Sequence, residues 1–214
     1  MPHSISHAQS HPPANSPEAL IADAAVSVST TAKADSIAAF VALGLDPALA
    51  RTAQALGYIK PTSVQAQAIP AALEGADLLA SSQTGSGKTA AFVLPGLQRL
   101  IHRQAQAQSA GDNKGSRRPE RTFGRPPSML VLAPTRELAL QVERSAMDLA
   151  RGACRLRSIT VVGGSSYALQ LKRLREGVDM VVATPGRLID HLNSGRIDLG
   201  SIEMLVLDEA DRML

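Results

Sequence analysis

Five short apolar or β-branched runs constrain this chain more than anything else in it: DLLAS at 77–81, MLVLA at 129–133, SITVV at 158–162, DMVVA at 179–183 and MLVLD at 204–208. Several are apolar at consecutive positions instead of alternating, the pattern of strands covered on both faces. Helical stretches near 88–104, 136–151, 166–176 and 186–194 separate them. Strand alternating with helix predicts an α/β fold, a parallel sheet joined by right-handed crossovers and flanked by helices. Upstream, SIAAFVALGL, PALARTAQALG and SVQAQAIPAALEG read as three short helices stopped at Gly44, Gly57 and Gly75. Open parallel sheets bind ligands beyond the carboxyl ends of their strands, so the chemistry belongs directly after each apolar run.

The 214 residues suffice for one domain with a tail, and 44% apolar against 19% charged residues can form a packed core. No run approaches the ~18 apolar residues of a membrane-spanning helix, so no membrane partner is expected. The lone Cys154 excludes a disulfide framework and fits a reducing, cytoplasmic compartment. Aromatics are limited to Phe40, Phe92, Phe123, Tyr58 and Tyr167, too few for binding through aromatic stacking platforms. Residues 1–35 mix His, Ser, Pro, Ala and Thr without apolar period and are expected to form a disordered leader. His3, His7 and His11 recur every four residues there, but Pro2, Pro12 and Pro13 spoil a metal-binding helix face.

After the first run comes SSQTGSGKTAAF. Gly85 and Gly87 allow the sharp turn that aims backbone N–H groups into a nest for phosphate oxygens at a helix start, with Thr84 and Ser86 between and before them. Lys88 is placed to reach the β- and γ-phosphates and Thr89 to offer a hydroxyl to Mg²⁺. The strict pattern has Gly where this chain has Ser82. The last run delivers Asp208, Glu209, Ala210 and Asp211. A carboxylate at such a strand tip can hold Mg²⁺, usually through water, and the next can activate an attacking water. Together the two motifs predict an ATP- or GTP-hydrolysing site with Lys88, Asp208 and Glu209 as catalytic groups.

Asp208-Glu209-Ala210-Asp211 spells DEAD, and from Phe40 to Leu214 the chain resembles the first RecA-like domain of a DEAD-box ATP-dependent RNA helicase. The motifs carrying the resemblance run in family order: Phe40, GYIKPTSVQ at 57–65, QTGSGKT at 83–89, PTRELA at 134–139, Gly163-Gly164, TPGR at 184–187 and VLDEAD at 206–211. The resemblance implies a RecA-like P-loop NTPase domain in which Gln65 reads the adenine edge, Tyr58 stacks on the ring and Phe40 supports it. Core packing is the alternative for both aromatics. ATP is then the nucleotide and Mg²⁺ its metal. It further implies that Thr135, Arg136, Gly163, Gly164, Thr184, Gly186 and Arg187 contact the backbone of single-stranded or short duplex RNA without reading sequence. An Arg136–Glu137 structural pair is the alternative for Arg136. Asp211 is implied to couple the nucleotide site to later motifs.

Seven basic residues between Arg99 and Arg125 face Asp112 and Glu120, a net of +5, which leaves the rest of the chain at −2. They lie around 104–128, a polar stretch rich in Gly, Pro and Gln that reads as a flexible basic insertion, either a solvated loop or an RNA tether. Leu214 follows Asp211 by three residues. The resemblance implies a further Ser-Ala-Thr strand, between the P-loop strand and the strand ending at Asp208, and then a second RecA-like domain. The domain is therefore expected to be partial, with a gap inside its sheet, to fold poorly alone and to lack RNA-stimulated turnover. The function expected of the parent is ATP-driven local unwinding of RNA, with this chain its nucleotide-binding half. A truncated, non-catalytic RNA- or partner-binding module is the alternative.

Overall fold

A computed structural model describes residues 33–81, 83, 85–111 and 125–213. Nearly all of the expected leader, with its three histidines, lies outside the described residues, as do Thr84 and the centre of the basic insertion. Helical backbone at 33–41 (α1) is followed by α2 (Pro47–Ala55), α3 (Ser63–Glu74) and α4 (Lys88–Gly111). Then β1 (Met129–Leu132), α5 (Arg136–Ala150), β2 (Ser158–Val161), α6 (Tyr167–Glu176), β3 (Met180–Ala183), α7 (Pro185–Asn193) and β4 (Met204–Leu207) alternate. A short 3₁₀ turn, Ala210–Arg212, ends the described chain. All strand pairs are parallel, in the order β2-β3-β1-β4. No helix among the described residues is long and apolar enough to cross a membrane.

The consecutive apolar pattern has its cause in the pleat. Met129, Val131, Met180 and Val182 point to one face and join a core with α1, α2, α4 and α5. Leu130, Val181, Ala183, Ile159 and Val161 point to the other and pack on Leu174 of α6 and Leu188 of α7. Gly96 lets α4 lie close against this sheet, because a Cβ there would stand 2.6 Å from the Met129 sulfur.

The run 77–81 departs from expectation. It forms no strand, Leu78 is 48% exposed and Leu79 is fully so. The outermost strand β4 has Leu205 and Leu207 more than half exposed. An apolar run becomes a strand only when a neighbour accepts its backbone N–H and C=O groups, and among the described residues none lies alongside 77–81. The second departure is α4, which runs seven residues past 104 into the stretch expected to be flexible. Its Gln-Ala repeat favours helix, and Gln104 Nε2 ties it to the Arg155 carbonyl at 2.7 Å.

Asp179 fastens the strands at the end of the sheet away from the motif loops. Its carboxylate accepts from the Arg157 N–H at 3.1 Å and Arg157 Nε at 3.4 Å, with Arg125 at 3.9 Å. Its own carbonyl accepts from Ser128 and Met129. Asp179→Ala is expected to lower stability by about 2–3 kcal/mol, the cost of charge-assisted bonds at a buried acceptor; urea denaturation would measure it. Burial, with Asp179 adding to it, pushes the nearby Cys154 thiol up to about 11, so it stays protonated and inert.

Candidate functional site

The glycines expected to shape the phosphate loop have the backbone that role requires: φ is +80° at Gly85 and +89° at Gly87, immediately before Lys88 opens α4. Lys88 Nζ donates to the Gln83 carbonyl at 3.2 Å and Ser86 N–H to the same oxygen at 3.3 Å, a closed loop folded on itself. Thr89 sits half-buried in the first turn of α4. The neighbouring segment is locked to this loop. Thr62 caps α3 and exchanges bonds with Gln65, whose Oε1 accepts from the Thr62 N–H at 3.0 Å. Gln65 Nε2 donates to the Gly87 carbonyl at 3.2 Å, and the side chain is wholly buried. Both ends of the amide expected to read adenine are thus engaged within the chain, one of them on the loop.

Phe40 is wholly buried in the core, and Tyr58 meets it edge-on with ring centroids 6.5 Å apart. Phe40 therefore packs in the core and touches Tyr58 at the same time. A cleft of about 580 Å³ opens between Thr62, Val64 and Gln67 on one side and Leu78–Ser81 on the other, with Ser86 at its edge.

Asp208 extends the β4 ladder, its N–H donating to the Leu132 carbonyl at 2.9 Å. Burial and the adjacent Glu209 raise its carboxyl above the usual range, while Lys88 and the Glu209 N–H pull it back. Lys88 and Asp208, 120 positions apart in the chain, therefore lie in each other's field. Glu209 is the one non-glycine residue with positive φ among the described residues (φ 51°, ψ 48°). Its carboxylate accepts from Arg212 at 2.8 Å. Such backbone costs of order 1 kcal/mol and persists where the surroundings impose it. Asp211 is exposed on the 3₁₀ turn.

A carboxylate raised in this way opposes folding when charged. Its stabilising contribution is present below the unfolded pKa and is lost as pH rises through the folded one. Asp208→Asn is thus expected to raise the melting temperature at pH 7, by about 1–3 °C after screening at a half-buried site. Calorimetry without metal checks the sign.

The other three loops open on the same sheet edge. Thr135 caps α5, its Oγ1 accepting from the Leu138 N–H at 3.3 Å, whereas Thr184 at the start of α7 makes no side-chain cap bond. Arg136 is exposed and reaches across to the Gly163 carbonyl at 3.2 Å, not to Glu137. Gly164 has φ +72° beneath that guanidinium, where a Cβ would crowd it. A Cβ at Gly163 or Gly186 would meet nothing within 4 Å, so both present open backbone. Arg187 is held by Gln170, Ser165, Asp190 and the Tyr167 ring. Sequence reasoning missed Gln170 and His191. Their signal was polar residues at apolar helix positions, four before Leu174 in α6 and three after Leu188 in α7.

A glycine-shaped loop opening a helix, its lysine in the field of a strand-tip carboxylate, and a parallel sheet behind them define a RecA-like P-loop nucleotide-binding domain. The chain belongs to the DEAD/DEAH box helicase family, whose model matches residues 62–214. It is 44% identical over 176 residues to the ATP-dependent RNA helicase DeaD of Buchnera aphidicola, covering 82% of this chain and 26% of that one. Against the protein of that name from Escherichia coli K12 it is 45% identical over 175 residues, with 82% and 25% covered. Among solved structures, the RNA helicase Prp28 from Chaetomium thermophilum bound to ADP superposes with a TM-score of 0.65 at 37% identity, over 80% of this chain and 38% of that one. The chain spans about a quarter of the length of the curated relatives it matches.

Proposed function

We propose that this chain is the nucleotide-binding half of an ATP-dependent RNA helicase, gripping RNA by its backbone and coupling ATP hydrolysis to local unwinding. The observation that carries the reading is that the Lys88 charge acts on Asp208, the carboxylate after β4, at the carboxyl ends of the strands that also deliver Gly163-Gly164 and 184–187. ATP is the substrate. Lys88 neutralises its phosphate charge, the N–H groups around Gly85 and Gly87 bond phosphate oxygens, and Glu209 takes a proton from the attacking water. Tyr58 and Gln65 are the groups offered to adenine; to bond a base, Gln65 must release the Gly87 carbonyl.

Thr89 and Asp208 suit Mg²⁺, because a hydroxyl and a carboxylate raised by burial beside a second carboxylate are hard oxygen donors that a divalent cation would relieve. When bound, that ion supplies charge neutralisation on the phosphates. Thr135, Thr184 and the open glycines offer donors to RNA phosphate and ribose, contacts that carry orientation but not sequence.

The test is fluorescence anisotropy with decamers of uridylate and deoxyuridylate, with and without Mg²⁺ and a non-hydrolysable ATP analogue. RNA is expected to bind tighter than DNA, and tighter still with nucleotide. RNA binding indifferent to nucleotide would leave the non-catalytic module; equal binding of DNA would remove the RNA reading.

A further inference from the structure

Arg187 and Arg136 hold opposite states although both are expected to meet phosphate. Arg136 makes one bond, to the Gly163 carbonyl, and is exposed. Every nitrogen of Arg187 is occupied. Nε donates to Gln170 Oε1 at 3.3 Å, Nη2 to the Ser165 carbonyl at 3.3 Å, and Nη1 faces Asp190 at 3.7 Å. Its face lies over the Tyr167 ring, 4.9 Å from the centroid, and the side chain is 22% exposed. With each of its three nitrogens directed at one of these partners and its charge faced by Asp190, the guanidinium is committed within the chain before any phosphate arrives, with two of its five N–H groups left over.

Behind it stand two buried polar side chains. Gln170 Nε2 donates to the Val162 carbonyl at 3.0 Å, which leaves Oε1 as the acceptor for Arg187. The same oxygen lies 2.8 Å from His191 Nε2, so His191 must carry its proton there. The ring stacks on Tyr167 at 4.5 Å, nearly parallel, and Nδ1 is buried without a partner. Burial and the Arg187 charge both lower the pKa of this histidine, with Asp190 opposing, consistent with a neutral donor. The carbonyls of Val162, Gly163 and Ser165 thus each receive a side-chain donor, from Gln170, Arg136 and Arg187. Three of this loop's carbonyls are tied inward by side chains, while the space beside the Gly163 Cα stays open.

We infer that His191 and Gln170 are positioning residues that lock Arg187 onto the 162–165 loop, so that RNA is met by backbone N–H groups of that loop and of Gly186, not by the Arg187 guanidinium. The inference rests on the RNA reading above. Arg136 is then the arginine left to pair with phosphate.

Salt dependence separates the two roles. Each phosphate neutralised on single-stranded RNA contributes roughly 0.7 to the slope of log affinity against log salt. For uridylate decamer binding by the full chain, His191→Phe keeps the stack but loses the donor, and should weaken affinity about three- to tenfold, the size of one neutral hydrogen bond lost. Its salt slope should match wild type. Arg187→Ala should weaken binding likewise with an unchanged slope, and the double variant should be no weaker than Arg187→Ala. His191→Gln, whose amide can donate to Gln170, should recover most of the affinity. Affinity for a fluorescent ATP analogue, unchanged throughout, reports an intact fold. A slope reduced by about 0.7 in Arg187→Ala, together with wild-type affinity in His191→Phe, overturns the inference and leaves RNA binding standing. Failure of His191→Gln to recover affinity that His191→Phe loses also overturns it. A wild-type chain that binds no RNA decamer, even with nucleotide, removes the RNA reading itself and this inference with it.

Discussion

Lys88→Ala is expected to weaken binding of Mg²⁺-ATP by about 100- to 1,000-fold while leaving the fold in place. The magnitude follows from the number of charge-assisted bonds lost. One ammonium serving two phosphates gives up two of them, each worth roughly 1.5–3 kcal/mol; at a partly exposed site the lower end applies, and a sum of about 3–4 kcal/mol is two to three powers of ten in affinity. In the chain without nucleotide, Lys88 donates to the Gln83 carbonyl on an exposed loop, so its removal should cost stability little. The variant should also shift Asp208. Without the Lys88 charge, one of the two influences holding that carboxyl down disappears, and its pKa rises further. Titration with a fluorescent ATP analogue, beside a thermal melt, measures both effects. Nucleotide affinity within threefold of wild type at an unchanged melting temperature would show that the glycine loop is not a triphosphate site.

How much of this was legible in the sequence depends on what each element needs from its surroundings. The runs that became β1 and β3 are covered on both faces by helices the same sequence supplies, so consecutive apolar residues were a sufficient signal. The run 77–81 carries the same signal without a hydrogen-bonding neighbour among the described residues, and its Leu79 is left wholly exposed. Strand propensity describes a half-buried pleated surface, not a backbone that forms alone. The Gln-Ala repeat after 104 was read by polarity, although helix propensity was the better guide. At the site, residue types and spacing set the expectation of which side chains would meet phosphate. They did not indicate that Gln65 would be spent on a backbone carbonyl, or that Arg187 would be enclosed by Gln170, Asp190 and Tyr167. Hydrogen-bond satisfaction of buried groups is a property of the assembled fold, and it reassigns donors that look available in a motif.

Gly87→Ala should be the most damaging single methyl this chain can receive at the site, and the reason separates two effects glycine motifs usually confound. Gly85 and Gly87 both hold positive φ, so alanine at either costs about 1 kcal/mol or more in backbone conformation. They differ in surroundings. A Cβ at Gly85 meets nothing within 4 Å, whereas one at Gly87 collides with the buried Gln65 amide and stands 3.2 Å from Thr62 Oγ1. Gln65 cannot step aside freely. Its Oε1 closes the capping box of α3, and its Nε2 is bonded to the carbonyl of the very residue substituted. Gly87→Ala therefore adds the loss of one or two hydrogen bonds on a buried group, ~1–3 kcal/mol, to the conformational cost. A melting temperature lower by roughly 5–10 °C follows, against about 2–4 °C for Gly85→Ala. Removing the obstacle should restore part of the difference: Gln65→Ala combined with Gly87→Ala is expected to be less destabilised than the two single effects added. Because distant sites add and coupled ones do not, that shortfall measures the Gln65–Gly87 link directly. Strict additivity in urea denaturation would mean that the two segments are merely adjacent, and that Gln65 is free to leave the loop without resistance.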